Sequence, residues 1–89
     1  ARTLVLIRAT FEDGVGWDQD LSSNSPVYAF PSNTITLSVV MEGLLNHIVL
    51  SRFRSVRIHR ISTSELLIEK IGPSESGNRI VRSWYTMID

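Results

Sequence analysis

The residues best able to do chemistry gather in one segment. Arg52-Phe53-Arg54-Ser55-Val56-Arg57-Ile58-His59-Arg60 places four arginines and a histidine within nine residues. Guanidinium groups make bidentate hydrogen bonds to phosphate or carboxylate. Such a run therefore fits nucleic-acid binding or a charged protein interface. Arg79 and Arg82 can add to it, and Phe53 and Trp84 supply rings for stacking or packing. Nucleic-acid or interface contact is the expectation for Arg52, Arg54, Arg57, His59, Arg60, Arg79 and Arg82. Alternation along a strand divides the segment: Arg57 and His59 fall on one face, Arg54 and Arg60 on the other with Val56 and Ile58. The competing account is a polar sheet face whose arginines pair with Glu65 and Glu69 across a hairpin.

Other titratable groups form no recognisable catalytic set. His47 stands five residues from Glu42, a poor helical alignment, and His59 stands two from Arg57. Each histidine reads first as a structural, hydrogen-bonded side chain. The stretch Glu12-Asp13-Gly14-Val15-Gly16-Trp17-Asp18-Gln19-Asp20 is acidic. It lacks the alternating oxygen ligands and terminal glutamate of an EF-hand loop. Gly14 and Gly16 have no third glycine to make a dinucleotide fingerprint. Ser22-Ser23-Asn24-Ser25 offers hydroxyls without a placed base. The expectation is no catalytic residue, no metal and no cofactor.

Eighty-nine residues fit one domain spanning 1–89, with a modest core. A hydrophobic fraction of 43% and a charged fraction of 20% describe a globular chain. There is no cysteine, which excludes disulfides and thiolate metal sites. No apolar run approaches the ~20 residues that span a bilayer as a helix. A soluble protein, intracellular or in a virion, is expected, with no membrane partner. Net charge is zero but unevenly placed: residues 1–50 carry −3 and residues 51–89 carry +3. This asymmetry permits nucleic-acid or head-to-tail contacts. Arginine outnumbers lysine eight to one.

The elements that position these residues read mostly as strands. Residues 3–11 are dense in Leu, Val and Ile, as in a buried strand. Residues 12–31 read as a long loop, pinned to the core by Trp17, Tyr28 and Phe30. Residues 33–41 alternate Ile35, Leu37, Val39 and Met41 with mainly smaller or polar residues, a strand period. Residues 42–53 place Leu44, Leu45 and Ile48 at helical spacing, although Gly43 and Asn46 are weak helix formers. One helix from 34 to 51 is the competing reading. Strands follow at 55–62, 65–71 and 79–88 and should form a meander. The predicted class is α+β and strand-rich, with an antiparallel sheet of about five strands and one helix around 42–53.

Phe53-Arg54-Ser55-Val56-Arg57-Ile58-His59-Arg60-Ile61, with the later Trp84-Tyr85-Thr86-Met87-Ile88-Asp89, resembles the early strands of single jelly-roll capsid proteins. The likeness is to those of circoviruses and similar small icosahedral viruses. Residues 33–41 take the place of the preceding strand, so the resemblance covers roughly 33–89. A jelly roll has eight strands, so the resemblance implies further strands from the same or another chain. It also implies a virion shell. The leading expectation is thus a non-enzymatic self-assembling or binding protein, a homo-oligomer with the arginine strand at an interface. The alternatives are a nucleic-acid-binding module using the 52–60 and 79–82 arginines, and a small dimeric α+β enzyme with His47, His59, Glu42 or Asp18 in a cleft.

Overall fold

The computed structural model describes residues 2–14, 27–29, 34–51, 53–74 and 77–89. Among these residues, seven strands run in the order β1 (Thr3–Gly14), β2 (Val27–Ala29), β3 (Thr34–Met41), β4 (Leu44–Ser51), β5 (Ser55–Arg60), β6 (Glu65–Ser74) and β7 (Gly77–Ile88). β1, β7, β6, β5 and β2 form one antiparallel sheet in that spatial order, and β3 and β4 form a separate hairpin.

The expected helix is absent among the described residues, and the α+β class is corrected to an all-strand architecture. Residues 44–51 form β4, paired with β3 from Met41↔Leu44 to Thr34↔Ser51. Glu42 and Gly43 are the two turn residues, with φ of 52° and 75°. Two consecutive positive φ values describe the type I′ turn, whose twist matches that of the flanking strands. The helical spacing of Leu44, Leu45 and Ile48 was coincidental. Ile48 and Leu50 point inward and are buried, whereas Leu45 and Val49 point outward and are exposed.

The inward faces of the two sheets build the core. Val39, Met41, Ile48 and Leu50 of the hairpin pack with Val56, Leu66, Ile68 and Met87 of the larger sheet, joined by Phe53 between β4 and β5. Leu4, Ile35, Leu37, Ile58 and Tyr85 line its margin. Each fully buried aliphatic side chain contributes ~1.5–3 kcal/mol. The face of the larger sheet that meets the hairpin is called the near face below, and the opposite one the far face.

The meander forms as β5-β6-β7. β6 continues through Gly72 and Pro73 to Ser74, further than its apolar run implied. It is the middle strand, and Leu66, Leu67, Ile68 and Glu69 are all buried, so both its faces are covered. Between β5 and β6, the Ile61 and Ser62 amides donate to Glu65 O, and Ser62 Oγ donates to Glu65 Oε1 at 3.2 Å. β1 lies against β7, with a register shift between Leu6 and Arg8 that leaves Ile7 in a bulge. Leu4 N donates to Asn46 Oδ1 at 3.0 Å, tying β1 to the hairpin. Tyr28, expected to pin a loop to the core, is exposed in β2, while Trp17 and Phe30 lie outside the described residues.

Two stability predictions follow from these positions. A Cβ on Gly43 would meet nothing within 4 Å, so Gly43→Ala carries only the cost of positive φ. Urea unfolding should show a loss of about 1–2 kcal/mol with an unchanged m-value. Lys70 sits on the near face opposite Val56 and Val81, and burial lowers its pKa below the ordinary 10.5. The unfolded chain therefore holds more protons from the lowered value up to 10.5, and stability rises with pH through that window. Burial raises the Tyr85 pKa above 10.0, so its contribution falls as pH rises beyond 10. Lys70→Met should raise the urea midpoint at pH 7, and the gain should shrink as pH approaches 10.5.

Candidate functional site

The site is the arginine strand and the far face of the sheet around it. Cross-strand pairs decide what each residue can reach. Arg57 stands opposite Glu69, and His59 opposite Leu67, so both share the far face with Glu69. Glu69 in turn stands opposite Arg82, and Leu67 opposite Trp84. Ile58 and Arg60, opposite Ile68 and Leu66, belong to the near face. The alternation read from sequence is thus observed from Val56 to Arg60, while Arg54 lies before the strand.

Glu69 is the hub. Its side chain has 0% exposure, and its two carboxylate oxygens take different partners. Arg82 Nε donates to Oε2 at 3.0 Å, and His59 Nε2 lies 2.5 Å from Oε1. A carboxylate accepts only, so Nε2 carries the proton of the second bond. His59 is itself buried, and the Arg82 side chain keeps 12% of its exposure. An isolated carboxylate here would cost several kcal/mol, and the charge-assisted bonds from both neighbouring strands offset that cost.

The remaining predicted residues separate. Arg60 points toward the hairpin and donates to Val40 O at 3.2 Å. Arg54 is exposed, and its backbone amide donates to Ile71 O. Arg79 is exposed near the start of β7. Arg52 lies outside the described residues. Phe53, a candidate stacking ring, is buried in the core at 3% exposure. Trp84 is half-buried, and the Arg8 guanidinium lies 3.9 Å from its ring centroid. Sequence reasoning missed Arg8. Its signal was its place in β1, whose partner strand could not be named from sequence.

The enzyme candidates do not converge. Glu42 sits in the hairpin turn and pairs with Arg2 at 2.7 Å. His47 is on the hairpin's outer face, 3.0 Å from Ser38 Oγ, while His59 is on the far face of the other sheet. Asp18 lies outside the described residues. Glu65, expected to match an arginine, accepts from Ser62 in its own turn. Among the described residues no group of three or more His, Asp or Glu side chains could hold a metal ion. No helix among them is long and apolar enough to cross a membrane.

The arrangement therefore uses much of the arginine charge internally. Glu69→Gln should destabilise the fold by about 3 kcal/mol, because it leaves Arg82 and His59 without their carboxylate. The combined variant Glu69→Leu with Arg82→Met and His59→Leu should recover most of that loss. Chemical denaturation of the three proteins checks both statements.

No family model matches the chain, and neither the curated proteins nor the solved structures give a match.

Proposed function

We propose that this is a non-enzymatic assembly domain that presents a sheet edge to other copies of itself. The observation that carries the reading is β1. It stands at the end of the larger sheet, and every residue from Leu6 to Phe11 is exposed. Leu6, Ile7 and Phe11 keep 54%, 55% and 68% of their exposure. A long apolar edge offers backbone donors and acceptors to an incoming strand, and soluble proteins usually blunt such edges. The outer face of the hairpin supports the same reading, with Val40, Leu45 and Val49 all more than half exposed. The resemblance to single jelly-roll capsid proteins makes a viral shell the class of assembly proposed.

Nucleic acid is the alternative partner, supported by the exposed Arg54, Arg60 and Arg79. Arg82 and His59, by contrast, are already bonded to Glu69. Sedimentation and light scattering separate the readings. The assembly reading expects a mass above the 10.0 kDa of one chain, rising with concentration and unchanged by added oligonucleotide. A strict monomer that binds oligonucleotide with steep salt dependence would favour the alternative.

A further inference from the structure

The exposed stretch of β1 is self-complementary. Leu6 stands opposite Tyr85, Ala9 opposite Ser83 and Phe11 opposite Val81, whereas Arg8 and Thr10 stand opposite Trp84 and Arg82. Tyr85 packs on the core and Ser83 pairs with Ile68, so Leu6, Ala9 and Phe11 belong to the near face. Trp84 and Arg82 pair with Leu67 and Glu69, so Arg8 and Thr10 belong to the far face. The bulge at Ile7 makes this possible. In unbroken alternation Leu6 and Phe11 would fall on opposite faces.

We propose that residues 6–11 pair antiparallel with the same residues of a second copy, about a two-fold axis through Ala9. The inference rests on the assembly reading above and names its partner and register. A two-fold axis perpendicular to the sheet keeps near face with near face. It sets Leu6 opposite Phe11 of the partner subunit, Arg8 opposite Thr10 of the partner subunit, and Ala9 opposite Ala9 of the partner subunit. Two of the most exposed apolar side chains then cover each other on both sides of the axis. A small side chain occupies the axis itself. The one charged residue in the stretch meets a hydroxyl, while its guanidinium stays over Trp84.

Other registers are worse. A one-residue shift opposes near-face to far-face positions. A two-residue shift one way puts Arg8 directly against Arg8 of the partner subunit, a like-charge pair. The same shift the other way sets Leu6 against Asp13 of the partner subunit. Asn46 already takes the Leu4 amide, so the pairing segment begins beyond it. The two five-stranded sheets would run on as one continuous sheet.

The absence of cysteine allows a direct test, since any introduced thiol is the only one. Opposed antiparallel residues bring Cα atoms to about 4.5–5.5 Å, within disulfide reach. Mild oxidation should convert the Ala9→Cys variant to a covalent dimer. A mixture of Leu6→Cys and Phe11→Cys proteins should give the heterodimer in preference to either homodimer. Val27→Cys, on the opposite edge of the sheet, should remain uncrosslinked. Phe11→Lys changes an exposed side chain, so its circular dichroism and melting should match the parent while the dimer dissociation constant rises at least ten-fold. If the parent self-associates but Val27→Cys crosslinks and Ala9→Cys does not, the seam is wrong and the assembly reading stands. If the parent is monomeric at every concentration, both fall.

Discussion

Glu69 is a carboxylate without solvent exposure in the middle strand of a five-stranded sheet, and the rest of the larger sheet is arranged to accommodate it. Its partners come from two strands, His59 from β5 and Arg82 from β7. A one-residue slip of β6 would turn Glu69 onto the near face, among the side chains that meet the hairpin and away from His59 and Arg82. The buried charge thereby sets the register of three strands at once. With that register set, Val56, Leu66, Ile68 and Met87 reach the core together, and the hairpin finds a continuous apolar surface to cover.

The same register sorts the arginines. On the far face, Arg82 serves the buried carboxylate of Glu69 and Arg8 lies over the Trp84 ring. Arg60, on the near face, fastens the hairpin by its Val40 carbonyl. Within a segment that looks like a cationic patch in one dimension, Arg57 and His59 part from Arg60 onto opposite faces in three. Many of the exposed large apolar side chains among the described residues lie along β1 and the outside of the hairpin. This is why a strand edge, rather than the arginine run, carries the functional reading.

The meander was legible because each of its strands has a local signal: alternation in β5, an apolar run in β6, and Gly77-Asn78 opening β7. A partner for Glu69 across the β5–β6 hairpin was within reach, but there it is His59, and the bonded arginine is Arg82 of β7. The hairpin was not, for a physical reason. Leu45 and Val49 face solvent while Ile48 and Leu50 face the core, so apolar residues occupy both sides of β4 and the period of two is blurred. Glu42 at a positive φ hid the turn further, because such turns usually carry Asn or Asp before the glycine. Arg8 over Trp84 joins residues far apart in the chain, and no local pattern announces such a pair. The self-matching of β1 depends on the bulge at Ile7, which only the pairing with β7 reveals.

That pairing of β1 with β7 also orders the events of folding. The β3–β4 hairpin and the β5–β6–β7 meander close short loops and can form early. β1 must cross almost the whole chain to reach its partner, and closing so long a loop is entropically slower than any step before it. On a ribosome, β1 would emerge well before β7 and wait for it, and until the two pair β7 would be the edge of the sheet.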